Sequence, residues 1–237
     1  METQYTRTQM LIGDEAVEKI KGSTVAVFGI GGVGGYAVEA LARAGVGRFI
    51  LVDSDRVSVS NINRQIIATH STVGKYKTEA ARDRILEINP EARVEVRNIF
   101  FDAEHVSEFD FQSYDFVVDA IDSLGAKIEL IVAAKAAGTP IISAMGAGNK
   151  LDPTRFKVAD ISKTETCPLA RAVRVALRKR GINHLSVVYS KEKPCVPAVS
   201  ESGERVPASI SFVPSAMGLI IAGEVILRLT NIKGVSD

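Results

Sequence analysis

The chain has 237 residues, 46% of them hydrophobic and 24% charged, which suits one substantial core of ordinary globular composition. With 29 Lys and Arg against 28 Asp and Glu the net charge is +1, which excludes a global cationic excess and confines any nucleic-acid contact to a local patch. Cys167 and Cys195 lie far apart and in no Cys-x-x-Cys pair, which argues against a disulfide framework and a four-cysteine zinc site.

Met1 to Tyr5 shows no basic segment leading into an apolar one, so it does not read as a signal peptide. The spacing of Leu11, Ile12, Ala16 and Ile20 predicts a short helix over residues 9–21. Thr24 to Phe28 is a continuous apolar run ending at glycine, as in a strand buried on both faces of a parallel sheet. Glycines come next, then a predicted helix from Gly32 to Ala44 punctuated by Gly45 and Gly47, and a second buried strand, Phe49 to Val52, closed by Asp53. This is a βαβ unit. A helix from Lys75 to Ile88 stops at Asn89-Pro90, strands are predicted over 93–97 and 116–119, and a helix from Ser123 to Ala137 precedes a strand at Ile141 to Ser143. The expected class is α/β, a Rossmann-like doubly wound, mostly parallel sheet. Beyond residue 150, strands at 156–160 and 186–189 flank a helix from Pro168 to Arg180, a Pro, Ser and Lys-rich loop covers 190–207, and an apolar helix runs from Pro214 to Leu229. We read 1–237 as a single domain: a nucleotide-binding core over 1–150 and a substrate-facing continuation over 151–237 that covers the site. The most apolar tract near the end, Ala216 to Leu227, is interrupted by Glu224 and reads as too short to span a bilayer, so the expectation is a cytoplasmic protein with no membrane partner.

Between the first strand and its helix stands Gly29-Ile30-Gly31-Gly32-Val33-Gly34, a Gly-x-Gly-x-x-Gly loop. Glycine permits the tight turn and the approach of backbone N–H groups to phosphate, and the helix N-terminus adds partial positive charge. Asp53 lies 19 residues past Gly34, where an acid bonds ribose hydroxyls. The loop by itself indicates a nucleotide and only weakly a dinucleotide. Residues further along the chain separate the two. A dehydrogenase needs an acid at this strand end and little else, whereas here Asp55, Asn61 and Arg64 come after it, Gly74-Lys75-Tyr76-Lys77 opens the next helix, and Asp119-Ala120-Ile121-Asp122 ends the fourth strand. Parallel strands deliver these ends to one crevice. Attack on the α-phosphate of ATP needs fixed cations, which Arg64 and Lys77 supply, and Mg²⁺ wants carboxylate oxygens, which Asp122 and Asp55 offer. Taken singly, each of these also fits a solvated helix face or a helix cap.

Gly-x-Gly-Gly-x-Gly, Asp-x-Asp-x-Val-x-x-Ser-Asn-x-x-Arg-Gln, Gly-x-x-Lys and Asp-x-x-Asp together resemble the superfamily of ubiquitin-activating and molybdopterin-synthase-type adenylyltransferases, over residues 7 to about 150. The resemblance implies that Asp53 holds the ribose, Asp55 supports the nucleotide and metal region, Asn61, Arg64 and Lys77 contact the triphosphate, and Asp122 positions Mg²⁺. It also implies that Arg7 enters the ATP site of a second copy, hence a homodimer. Sulfur-carrier activators of this group usually carry two Cys-x-x-Cys pairs, absent here. Segments 146–153, 159–164, 168–171, 177–182, 187–190 and 209–215 instead resemble the tRNA threonylcarbamoyladenosine dehydratases, with one departure at Thr166-Cys167, where Asp or Asn is expected before Pro168. That resemblance implies adenylation of the threonyl carboxylate next to the tRNA anticodon, ring closure by the neighbouring carbamoyl group and loss of AMP, with no enzyme nucleophile because the attacking group is tethered.

A tRNA surface is expected on the helix over 168–180, where Arg171, Arg174 and Arg178 share a face with Lys179 and Arg180 adjacent, opposite an apolar stripe of Leu169, Val173 and Ala176. A solvated charged face is the competing reading. Lys163, Lys191, Lys193 and Arg205 are weaker candidates, and His70, His105 and His184 read as structural or surface residues. The expected partners are tRNA, a second copy of the chain and a sulfur-relay or carrier protein, with no DNA. Three other functions compete: activation of a ubiquitin-like sulfur carrier, a nucleotide-binding partner that no longer turns over, and an NAD-dependent oxidoreductase, which leaves Arg64, Lys77 and Asp122 unexplained.

Overall fold

A computed structural model describes residues 2–195 and 207–232, so Arg205 lies outside the described residues. The N-terminal segment expected as one helix forms two, α1 (Thr6–Ile12) and α2 (Asp14–Gly22). The chain breaks at Gly13, whose φ of +86° no helix accommodates. Tyr5 anchors this segment, its ring so close to Gly45 that a Cβ there would stand 2.9 Å from it.

The strands are β1 (Thr24–Phe28), β2 (Arg48–Val52), β3 (Arg93–Arg97), β4 (Phe116–Asp119), β5 (Ile141–Ala144), β6 (Phe156–Asp160) and β7 (Ser186–Ser190). They form one sheet in the order β3-β2-β1-β4-β5-β7-β6. Every pairing is parallel except that of β6 with β7, whose antiparallel register sets Phe156 opposite Ser190. The inner strands read as unbroken apolar runs because helices cover both faces. Alternate residues serve opposite layers. Val25, Val27, Phe49, Leu51 and Val118 face one core, with α3 (Gly34–Ala44), α4 (Lys77–Ile88) and α7 (Phe212–Thr230). Ala26, Phe28, Ile50, Val52 and Val117 face the other, with α5 (Leu124–Ala137) and α6 (Pro168–Lys179). Phe28 there meets Phe101, Phe109 and Phe111 at ring-centroid distances of 5.0, 5.2 and 6.0 Å.

The last helix corrects the expectation of a tract too short to cross a bilayer. α7 has 19 residues, and an 18-residue stretch of it has a mean hydropathy of 1.7, enough to span by length and composition alone. Its apolar side is nonetheless inside the protein, where Val213, Met217, Ile221 and Val225 are fully buried. Gly218 allows this packing, since a Cβ there would lie 2.3 Å from the carbonyl oxygen of Val33 and 2.9 Å from Tyr36 Cβ. The C-terminal helix is thereby pressed against the turn that opens α3.

Between α3 and α4, the buried Glu39 carboxylate receives Arg84 Nε at 2.5 Å and Nη2 at 3.0 Å, and Arg43 Nε at 2.8 Å. Burial opposes its charge, but the arginine hydrogen bonds outweigh burial and hold its carboxyl below the ordinary range. Because the folded value is depressed, the stabilisation is present above about pH 4.5 and is lost as pH falls through the folded value. Glu39→Gln is expected to lower stability by about 1–3 kcal/mol at neutral pH. Denaturant titrations across acid pH should show a flatter pH dependence in the variant.

Candidate nucleotide site

β1 lies between β2 and β4, so the chain leaves the sheet centre in both directions and a crevice opens where the ends of β1 and β4 diverge. Its volume is about 630 Å³. Gly29, Gly31 and Gly32 line it with Asp53, Asp55, Asn61, Arg64, Lys77 and Asp122, so one crevice gathers residues from the three connections that leave β1, β2 and β4.

The glycine loop is shaped by backbone approach. Gly29 has φ +88°, and a Cβ on it would come within 2.6 Å of the Ala120 carbonyl oxygen. A Cβ on Gly34 would come within 1.8 Å of the Gly29 carbonyl oxygen. A Cβ on Gly31 by contrast would meet only the Gln65 amide nitrogen at 3.8 Å, which leaves this side open to a ligand. No side chain caps α3, and its N-cap residue Val33 lines the crevice beside Gly31 and Gly32, so the positive end of the helix dipole lies at this wall. Gln65 adds to this wall. It is 6% exposed, and its amide oxygen has no hydrogen-bond partner among the described residues. A backbone cradle too narrow for side chains suits a phosphate, while the orphaned Gln65 oxygen is an acceptor that a ligand hydroxyl or amino group, not a phosphate oxygen, would satisfy.

Asp53 spans the loop and the strand end. Oδ2 accepts from Ile30 N–H at 2.7 Å and Oδ1 from Asp55 N–H at 2.8 Å. Burial raises its carboxyl above the ordinary aspartate range, against the lowering by Lys77 and by these two amide groups. Lys77, 6% exposed, lies with its ammonium 2.6 Å from Asp55 Oδ2. Asp55, expected as a second Mg²⁺ ligand, is thus engaged as the counter-ion that orients Lys77. Asp122 is exposed at the crevice and makes no hydrogen bond among the described residues. No group of three or more His, Cys, Asp or Glu side chains able to hold a metal occurs among the described residues.

Asn61 is buried and locks its own turn by accepting Ser58 N–H at 3.1 Å on Oδ1. Arg64 commits only Nη1, to Ser60 O at 2.8 Å and Asn63 Oδ1 at 2.9 Å. Its other nitrogens remain to donate to phosphate. Arg7 sits exposed on α1 and does not line this crevice. On α6, Arg171, Arg178 and Lys179 are exposed. Arg174 is turned inward, its Nη1 donating to Ile161 O and Thr164 O, both at 3.1 Å, and Arg180 pairs with Glu129 at 2.9 Å. Those two are structural before they are available to any polyanion. Cys167 is buried and caps α6, its sulfur accepting Ala170 N–H at 3.5 Å, while Cys195 is exposed.

Three sets of lining residues were given no place in the nucleotide site by the sequence: Ile99 to Phe101, Met145 to Gly148, and Pro207, Ser209 and Pro214, although segments 146–153 and 209–215 carried the resemblance to the dehydratases. The first two succeed β3 and β5, so the rule that placed Asp53 and Asp122 at strand ends also finds them. The third folds back from the C-terminal part, held by Asn149 N–H donating to Ala208 O at 2.8 Å, Ala208 N–H to Asn149 Oδ1 at 2.7 Å and Asn63 Nδ2 to Ser209 O at 3.0 Å. No local pattern announces that return.

A Rossmann-like sheet with a phosphate cradle and a set of cationic side chains at its switch point defines a nucleotide-binding α/β protein. The chain belongs to the ThiF family, which it matches over residues 5–236. It is 44% identical to the tRNA threonylcarbamoyladenosine dehydratase of Bacillus subtilis, over 99% of this chain and 98% of that protein. It superposes on the crystal structure of Escherichia coli tRNA N6-threonylcarbamoyladenosine dehydratase in complex with AMP with a TM-score of 0.89, at 33% identity and covering 96% of this chain and 94% of that one. The Escherichia coli molybdopterin-synthase adenylyltransferase is 35% identical, over only 59% of this chain and 57% of that protein.

Asp53→Asn, which replaces a charged acceptor lining the crevice by a neutral amide, is expected to weaken ATP binding about ten- to a hundred-fold, or about 1.5–3 kcal/mol. As pH falls through the raised value of Asp53, wild-type affinity should drop while that of the variant stays flat. Calorimetric titration at several pH values checks both.

Proposed function

We propose that this chain catalyses the ATP-dependent dehydration of threonylcarbamoyladenosine in tRNA. The observation that carries the reading is the crevice itself. It presents an amide-lined cradle, a free-ended Arg64 and a held Lys77 in a chain similar over its whole length to dehydratases of that substrate. A threonyl carboxylate oxygen attacks the α-phosphorus of ATP and pyrophosphate leaves. The carbamoyl group then attacks the acyl carbon, AMP leaves, and the substrate has lost one water overall. Arg64 and Lys77 neutralise charge on the non-bridging oxygens and on the leaving pyrophosphate. Mg²⁺ would screen the phosphates, and Asp122, a lining carboxylate with no hydrogen-bond partner among the described residues, would help to hold it. Asp55 acts through Lys77.

Residues 1–150 supply most of the nucleotide crevice, and the described residues beyond 150 close one wall of it as part of the same unit and offer the surface for RNA. Arg171, Arg178 and Lys179 on α6 are the exposed cations that fit a tRNA backbone, with Arg174 and Arg180 supporting the helix. The burial of α7 in the core fits a cytoplasmic enzyme. A homodimer with Arg7 supplied in trans is supported by α1, which buries none of its residues and leaves Met10 and Leu11 84% and 85% exposed. A thiol intermediate is not needed. Activation of a sulfur carrier is the other reading, and the buried Cys167 gives it no support.

Pyrophosphate and AMP release should require the modified tRNA and accompany a substrate mass loss of one water. Release indifferent to the modification would move the substrate to a protein tail. Arg64→Ala and Asp122→Ala should each abolish AMP formation in folded protein, and full activity in either would remove the adenylation assignment. Mixing Arg7→Ala with Arg64→Ala subunits should recover part of the activity lost by each alone. No recovery would remove the arginine in trans.

A further inference from the structure

Two charged side chains are fully buried directly beneath the crevice. Lys127, the fourth residue of α5, and Asp119, the last residue of β4, are both 0% exposed. Lys127 Nζ donates to Asp119 Oδ2 at 2.7 Å, to Ala144 O at 3.1 Å and to Ser143 Oγ at 3.3 Å, so all three ammonium hydrogens have acceptors. The Ser143 hydroxyl donates to the same Asp119 Oδ2. Asp119 Oδ1 accepts from Ile121 N–H at 3.1 Å. None of the three side chains lines the crevice.

Stability is a poor reason for such a pair, because the loss of hydration largely offsets the attraction and an apolar replacement is often as stable. What the network does accomplish is geometric. It joins the end of β4, the end of β5 and the start of α5 at one point. β4 leads into Ala120, Ile121 and Asp122, and β5 into Met145 to Gly148, and both loops line the crevice. The Ala120 carbonyl also stands against Gly29, so its position sets that of the phosphate cradle.

We infer that Asp119, Lys127 and Ser143 form a buried positioning device that holds the loops over 120–122 and 145–148 in the register needed for transfer at the α-phosphate. The inference rests on the proposed adenylating function. The three residues act through the loops and touch no ligand. The ribose end of the site is held separately, by Asp53 bonding Ile30 and Asp55. Disturbing the device should therefore affect the chemical step more than ATP binding.

The test is the charge-free double variant Asp119→Asn, Lys127→Met. Its melting temperature should exceed that of Lys127→Met alone, which leaves Asp119 charged and unpaired. Its kcat for AMP release with modified tRNA should fall about ten- to a hundred-fold, while KM for ATP stays within about threefold. Without any substrate, exchange of the Ile121 amide hydrogen should quicken about tenfold or more. Ser143→Ala, a gentler change, should lower kcat in the same direction with KM unmoved, and decides the matter if the double variant does not fold. Wild-type kcat in a folded variant with unchanged Ile121 protection would overturn the inference, as would a parallel loss in kcat and ATP affinity. If the wild-type enzyme shows no AMP release dependent on modified tRNA, the functional reading fails, and Ile121 exchange alone then decides whether the device exists.

Discussion

The Gly29 carbonyl oxygen lies where a side chain on Gly34 would have to be, and the Ala120 carbonyl lies where one on Gly29 would be. This mutual approach of three backbone segments brings the end of β4 against the turn that leaves β1. It also places the N-cap residue of α3, Val33, in the wall of the crevice, with the positive end of the helix dipole there. Asp53 completes the arrangement by binding Ile30 N–H, which ties the turn after β1 to the end of β2. The position of every other group in the crevice is measured from this turn.

The charges around it are arranged as a relay of constraints. Lys77 would be a mobile cation on a four-carbon stem, but Asp55 and the surrounding burial hold it to one direction. Asn61 stiffens the turn that carries Arg64, and Arg64 is pinned through one nitrogen so that its remaining donors are presented with little freedom to lose. The opposite wall comes from the C-terminal part. Pro214 stands over Gly32, where a Cβ would be 3.2 Å from its ring, and α7 packs on the turn of α3 through Gly218. A helix apolar enough to enter a bilayer instead closes one side of a nucleotide crevice.

Residues with a local signature were legible in the chain. Unbroken apolar runs marked β1, β2 and β4, since a strand covered on both faces has no polar side to show. The glycine spacing and the acid after β2 marked the cradle and Asp53. The break at Gly13 was not legible, because the apolar spacing runs through it and only the positive φ shows that it is a turn. On α6 the helical spacing of the arginines was visible, but Arg171 and Arg178 remain outward while Arg174 turns in to cap the segment before the helix. Lys127 sits in a largely apolar stretch that carried no mark of a role, and its partners Asp119, Ser143 and Ala144 come beside it only in the fold.

The sequence by itself determined the class of fold, the nucleotide cradle and the set of strand-end residues that meet there. Hydrophobic periodicity and glycine spacing are properties of neighbours along the chain, and parallel strands necessarily bring their ends to one edge. Only the tertiary structure decided which charges are free and which are partnered. The pairings of Asp55 with Lys77, of Asp119 with Lys127 and of Arg174 with Thr164 join residues separated by 22, 8 and 10 positions. A charge's availability depends on what the fold packs beside it, and no spacing along the chain encodes that.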